Sequence, residues 1–156
     1  MGGAIARGLA KGTIIQTADI CVSNPSKGKL DALKGEFPTM QVTHSNVEAV
    51  KEADIVLLAV KPWYIEPVIK ELPLDTEKQI LVSVAAGISF EQYEEWVGEK
   101  MPVFRVIPNT AISQLESMTL IASHHATKEQ EQLMLDLFNE MGLAMLIPEK
   151  QMAATT

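Results

Sequence analysis

The residues of this chain that could do chemistry stand where its apolar runs end. ADIVLLAVKP (53–62), QILVSVAAG (79–87) and PVFRVIPNT (102–110) each pass from β-branched and leucine residues into small, turn-forming or polar ones. In a parallel sheet the strand C-termini share one edge, and ligands bind in the crevice outside that edge. The pattern therefore places Lys61-Pro62, Ala85-Ala86-Gly87 and Asn109-Thr110 along one ligand-binding rim. Lys61 is the one charged residue at the end of an apolar strand, where a site contact competes with a merely solvated strand end. Asn109-Thr110 after Pro108 fits a turn as well as a site position.

Other reactive side chains read as structural. His124-His125 lie in an apparent loop, with no third His, Cys or spaced carboxylate in view to make a metal set, so no metal site is expected. His44 reads as a loop histidine beside Ser45-Asn46. Glu91, Glu94, Glu95 and Glu99 read as the solvated face of a helix rather than a paired-carboxylate acid–base site. The lone Cys21, inside ADICV, cannot form an internal disulfide and reads as a buried thiol. Trp63 and Trp96 adjoin apolar stripes and are expected to pack. The methionines from Met134 to Met152 are expected to fill core or a surface that meets a further domain.

The elements that must position the rim alternate between strand and helix. A glycine-bearing helix runs from Met1 to about Lys11, followed by a strand over 19–23 and a helix over 26–35 with Leu30, Leu33 and Phe37 as its stripe. A short strand at 41–43 precedes a helix over 45–52, opened by Ser45 with Glu48 three residues on. Strands follow at 55–60, 80–84, 103–107, 118–122 and 144–147. A helix over 64–72 carries Ile65, Val68, Ile69 and Leu72 on one face and requires Pro67 in its first turn. Ser89 with Gln92, and Thr127 with Gln130, box the starts of two more helices, ended at Gly98 and Gly142. Continuous apolar strands alternating with helices imply a doubly wound α/β fold: a mostly parallel sheet with helices on both faces.

The chain of 156 residues is long enough for one domain with a real core, and 47% apolar with 21% charged residues is ordinary for a soluble globular protein. A net charge of −7 without a basic stripe argues against nucleic acid or an acidic membrane as partner. No apolar stretch approaches the ~20 residues that span a bilayer. With no secretory signal in view and one cysteine, a reducing cytoplasm is expected.

A dinucleotide fold opens with an apolar strand, a glycine-rich turn and a helix. MGGAIARGL supplies the helix and the tail of such a turn, and its small residues would let the helix N-terminus approach a pyrophosphate. Taken alone, a flexible glycine-rich start is as good a reading. An NAD-preferring site places Asp or Glu at the end of the next strand, on the ribose 2′-hydroxyl. Here that position reads Ser23-Asn24-Pro25-Ser26-Lys27, and Asp19 lies at the wrong end of the strand. Ser23, Asn24, Ser26 and Lys27 offer neutral or positive donors that suit a 2′-phosphate, hence NADP (NADPH) before NAD. The same residues make a turn and a helix N-cap at Ser26, and both roles hold together because helix N-termini bind phosphate.

In this order MGGAIARGL, SNPSK, LLAVKP, VSVAAG and RVIPNT resemble pyrroline-5-carboxylate reductase, over essentially the whole chain. AVKP, VSVAAG and PNT are specific as a set and not singly. The resemblance implies a Rossmann-type cofactor domain over 1–156 and NAD(P)H-dependent reduction of 1-pyrroline-5-carboxylate to L-proline. It implies cofactor contacts at Met1, Gly2, Asn24, Asn46, Ala59, Val60, Lys61, Pro62, Ala85, Ala86 and Gly87, and near Asn109. It also implies a first strand with a GxGxN-like turn before the position of Met1. After the position of Thr156 it implies a helical domain that dimerises and holds the substrate through SGSGPA-like and SPGGTT-like segments. Those parts lie outside these residues, so a domain fragment with little turnover and weak NADPH binding of its own is expected. Ala111 departs from the proline usual after PNT.

Hydride transfer to a cyclic imine needs position and electrostatics more than a strong acid from this domain, and none is evident. Three other readings stand beside this one. They are a reductase of the β-hydroxyacid-dehydrogenase type, a non-catalytic NADP-binding or sensing module, and a structural fragment that binds nothing.

Overall fold

A computed structural model describes residues 2–107 and 117–151. The chain order is α1 (Gly2–Lys11), β1 (Cys21–Ser23), α2 (Lys27–Glu36), β2 (Gln41–Thr43), α3 (Asn46–Val50), β3 (Ile55–Leu58) and α4 (Pro62–Glu71). It continues with β4 (Ile80–Ser83), α5 (Phe90–Val97), β5 (Val103–Ile107), β6 (Ser117–His124), α6 (Lys128–Asn139) and β7 (Gly142–Leu146). A single 3₁₀ turn at Thr17–Asp19 leads into β1, whose strand is shorter than the pattern predicts.

The strands form two hydrogen-bonded sheets, a pair β1-β2 and a five-stranded sheet in the order β3-β4-β5-β6-β7. The expected mostly parallel sheet thus comes in two pieces. Every pair is parallel except β5 with β6. Helices cover both faces of the larger sheet. On one side Ile65 and Ile69 of α4 and Phe90 and Tyr93 of α5 pack on Val56, Leu58, Leu81, Val103 and Ala122. On the other, Ile5 of α1 and Met134, Leu137 and Phe138 of α6 pack on Ile80, Val82, Phe104, Val106 and Ile121. Alternate residues of each strand thus feed opposite cores, which is why the strands read as unbroken apolar runs. A smaller core of Ala6, Leu33 and Met40 joins α1 to the β1-β2 side.

The capping signals decide where several helices start. Ser26 and Ser45 each accept a hydrogen bond from the backbone N–H three residues on, at Lys29 and Glu48. Both bonds of the capping box are made by Ser89 with Gln92 and by Thr127 with Gln130. At Ser45 the return bond is replaced, since Glu48 pairs with Lys51 at 2.9 Å. Gly98 ends α5 with φ 90°, a conformation that glycine adopts freely.

α4 corrects its predicted start. Lys61 is its N-cap and Pro62 its first residue, so Pro67 lies inside the helix and not in its first turn. Proline at the first position needs no N–H partner, and its fixed φ starts the helix early. Pro67 leaves the carbonyl four residues back, at Trp63, without its helical N–H. Trp63 is 68% exposed, so water can serve that carbonyl. The expectation that Trp63 packs fails with it, whereas Trp96 packs against the core under α5 and meets Tyr93 edge-on at 5.9 Å.

Candidate functional site

The parallel register of β3, β4 and β5 aligns Leu58 with Ser83 and Ser83 with Arg105. The segments that follow therefore emerge at one edge. The Val84 N–H donates to the Leu58 carbonyl at 3.1 Å, which carries the ladder to the brink of that edge. Ala59, Val60, Lys61 and Pro62 leave β3 there, and Ala85, Ala86 and Gly87 leave β4. Val60, Lys61, Ala86 and Gly87 are exposed, while Ala85 is buried. Gly87 has φ 81°, with nothing within 4 Å of where a Cβ would stand, so its glycine serves the turn rather than packing.

The N-terminus of α1 lands on the same edge. A Cβ on Gly2 would stand 3.1 Å from the Cβ of Ala59, so the close approach of helix to strand end depends on both small residues. α1 also reaches the β1-β2 side: Arg7 Nε pairs with Glu36 of α2 at 2.6 Å, and Ala6 shares a core with Leu33 and Met40.

Around the end of β1 the polar residues singled out in the sequence hold one another. Ser23 Oγ donates to Asn46 Oδ1 at 2.7 Å, joining β1 to α3. Asn24 Oδ1 accepts from the Ser26 N–H at 2.8 Å, while its own N–H donates to the Thr43 carbonyl at 3.2 Å. His44 Nδ1 lies 2.9 Å from the Asn24 carbonyl oxygen. Lys27 begins α2 and is exposed, and the first turn of α2 carries no acidic residue. The structure thus gathers the candidates into two groups, Ser23, Asn24, Ser26, Lys27 and Asn46 around β1, and Gly2, Ala59–Pro62 and Ala85–Gly87 on the rim. α1 touches both sides. Met1 and Asn109, with Thr110, lie outside the described residues.

Support for the rim comes from two residues the sequence did not mark as part of the site. Ser83 and Tyr93 are fully buried, and the Tyr93 hydroxyl donates to Ser83 Oγ at 2.5 Å. The same Oγ accepts the Ala85 N–H at 3.2 Å, which fixes the first residue of the rim turn. Burial pushes the Tyr93 phenol above its ordinary value, against the opposing pull of the Ser83 bond and the Arg105 charge. The only hint in the sequence was a serine inside ILVSVAAG.

Arg105 was also missed. It is a buried cation on β5, with its guanidinium 3.3 Å from Glu149 and 5.8 Å from the centre of the Phe90 ring. Glu149 also accepts the Phe90 N–H at 2.7 Å, at the start of α5. Arg105 Nε has no partner among the described residues. Cys21 is half-buried, and burial raises its thiol pKa, which fits a structural thiol rather than a nucleophile.

Glu94 and the two histidines revise the sequence reading. Glu94 Oε2 lies 2.7 Å from His124 Nε2 and 3.5 Å from His125 Nε2, so a carboxylate does join the pair. The bond to His124, above all, holds the Glu94 carboxyl below its ordinary value. His124 is the last residue of β6 and stacks on Phe90 at 5.0 Å, rather than lying free in a loop. Of the methionines, Met134 and Met141 fill core, while Met145 on β7 is 52% exposed. Among the described residues no helix is long and apolar enough to cross a membrane.

A doubly wound α/β sheet, with glycine helix and strand ends converging on one edge, defines a Rossmann-type dinucleotide-binding domain. The chain belongs to the family described as NADP oxidoreductase, coenzyme F420-dependent, whose model matches residues 1–87. It is 33% identical to pyrroline-5-carboxylate reductase of Methanosarcina acetivorans, over 100% of this chain and 58% of that protein. Pyrroline carboxylate reductase of Plasmodium falciparum, solved with NADP bound, superposes with a TM-score of 0.86 at 28% identity, over 97% of this chain and 55% of that one. Prephenate dehydrogenase of Aquifex aeolicus shares the fold alone, with a TM-score of 0.75 at 13% identity over 99% of this chain and 60% of that one. The chain spans about half the length of most of the curated relatives it matches.

Proposed function

We propose that this chain is the cofactor-binding part of a pyrroline-5-carboxylate reductase, which reduces 1-pyrroline-5-carboxylate to L-proline with NADPH. The observation that carries the proposal is the convergence of Gly2, Ala59–Pro62 and Ala85–Gly87 on one strand edge, in a chain whose relatives bear that name. The residues fit a phosphorylated dinucleotide. A Cβ on Gly2 would stand 3.1 Å from Ala59, the close helix–strand packing that a dinucleotide site uses, and no carboxylate stands at the end of β1 to repel a 2′-phosphate. The Asn24 amide, Ser26 and Lys27 supply donors on that side, with the Ser23–Asn46 bond holding the turn.

When bound, the reduced nicotinamide supplies a hydride. The chain's own residues orient it. Lys61 and Pro62 at the start of α4, and Ala85–Gly87 held through Ser83 and Tyr93, form one wall of the reaction space. These rim segments contain no Asp, Glu or His, so they contribute position, and a protonated substrate nitrogen is the better hydride acceptor. Met1 and Asn109 complete the proposed cofactor contacts. A helical domain following this one closes the substrate side and makes a homo-oligomer, and the exposed Leu143 and Met145, alternate residues of β7, offer it an apolar face. The acidic charge and single cysteine fit a cytoplasmic enzyme.

The test is proline formation by the protein that carries this chain, supplied with 1-pyrroline-5-carboxylate and NADPH. Proline appearing with NADPH consumption supports the proposal. NADPH consumption with another substrate only, or none at all, overturns it.

A further inference from the structure

We propose a divalent transition-metal site made by Glu94, His124 and His125, fitted to Zn²⁺ or an ion of the same ligand preference. One ligand atom from each residue lies within 4.8 Å of the other two. Zn²⁺ bonded to nitrogen and oxygen at 2.0–2.2 Å in a tetrahedron needs its ligand atoms ~3.3 Å apart. The Glu94 oxygen stands 2.7 Å from His124 Nε2 and 3.5 Å from His125 Nε2, one shorter and one longer than that edge. Two imidazoles and one carboxylate leave a fourth position for water, a donor set that suits Zn²⁺, Ni²⁺ or Cu²⁺ and not Mg²⁺.

Backbone geometry brings the two histidines to one side. Consecutive residues of a strand point to opposite faces. His124 ends β6, and His125 takes φ 56°, the one positive φ outside glycine among the described residues. The ring centroids consequently lie 4.0 Å apart. Phe90 stacks on His124 at an interplanar angle of 10° and fixes that ring, leaving its Nε2 toward Glu94. Arg105, over the same Phe90 ring, has its charge answered by Glu149 and does not need Glu94.

The site is separate from the proposed cofactor rim. His124 pairs with Val103 at the start of β5, and the rim lies beyond the opposite ends of β3 and β4. A bound ion would tie α5 to the end of β6 and stabilise the domain without touching the dinucleotide.

The experiment titrates the metal-free full chain with zinc chloride by calorimetry, with cobalt chloride as a spectroscopic probe and magnesium chloride as a control. One equivalent of Zn²⁺ is expected to bind and raise Tm, and Co²⁺ is expected to show the intense visible bands of a tetrahedral site. His125→Asn keeps a residue that tolerates positive φ, so it folds while losing a ligand. Its Zn²⁺ affinity should fall by more than about tenfold while its Tm in chelator holds. Glu94→Gln should lose the cobalt bands, and His44→Ala should change nothing. The proposal is overturned if Mg²⁺ raises Tm as Zn²⁺ does, if no equivalent of Zn²⁺ binds, or if His125→Asn binds Zn²⁺ like the parent.

Discussion

Removing the Ser83 hydroxyl should cost more than removing the Tyr93 hydroxyl that donates to it. Ser83 and Tyr93 are 0% exposed, and Ser83 Oγ accepts from both the Tyr93 hydroxyl and the Ala85 N–H. Ser83→Ala strands two buried donors. Each stranded donor costs about 1–3 kcal/mol, so about 2–4 kcal/mol is expected after partial relaxation. Tyr93→Phe deletes a donor together with its bond and leaves Ser83 serving Ala85, for a net loss of about 0.5–1.5 kcal/mol. The double variant strands only the Ala85 N–H, so it should be less destabilised than the sum of the single changes by about 1–2 kcal/mol. For a chain of this size each kcal/mol moves Tm by about 2–4 °C, so the difference between the single variants is readily seen. Urea unfolding of the four proteins measures the cycle, with unchanged m-values as the check that only stability moved. If Tyr93→Phe costs as much as Ser83→Ala, or if the two costs simply add, Ser83 is not the shared acceptor that pins the rim turn.

Gly2→Val should weaken NADPH binding and destabilise the domain by about 1–3 kcal/mol, through overpacking against Ala59. Gly2→Ala should do less of both, as read by thermal shift with and without NADPH. Asn24→Asp should move relative affinity from NADPH toward NADH, because it places a carboxylate where a 2′-phosphate would sit; calorimetry with both nucleotides decides, and an unchanged ratio refutes the assignment. Glu140 accepts from Thr13 Oγ1 at 2.6 Å, from the Thr13 N–H at 2.7 Å and from the Ile14 N–H at 3.1 Å. The Thr13 bonds chiefly hold its carboxyl below the ordinary 4.5. A depressed folded value means the stabilisation is complete above 4.5 and fades as pH falls through the lowered value. The Tm gap between parent and Glu140→Gln should therefore be widest near neutral pH and close in acid. A gap that grows on acidification contradicts the assignment.

How much of this could be read from the residues follows from the range of the forces involved. Apolar runs that turn small and polar at their ends gave away β3, β4 and β5, because strands covered on both faces must be apolar throughout. Caps at Ser89 and Thr127 were legible because a capping box is a local contract between residues three apart. The antiparallel turn of β6 was not, since strand direction depends on where the chain goes between strands and leaves no mark on an apolar pattern. Helix α4 started early because Pro62 fixes its own φ, an effect that the spacing of Ile65, Val68 and Ile69 does not report. The rim residues were legible from position in the strand pattern. Their support was not: Ser83 meets Tyr93 ten residues on, and Glu94 meets His124 thirty residues on, across elements with no shared period.

The central claim is that the C-terminal edge of β3 and β4, with the end of β1 and the start of α1, is an NADP cradle. Backbone amide shifts of this 156-residue chain, followed by NMR through a titration with NADPH, test it most directly. Saturable shifts are expected at Gly2, Ser23, Asn24, Ser26, Lys27, Asn46, 59–61 and 85–87, with Glu94, His124 and His125 at the far edge unmoved. Shifts absent from the rim, or concentrated at that far edge, would contradict it.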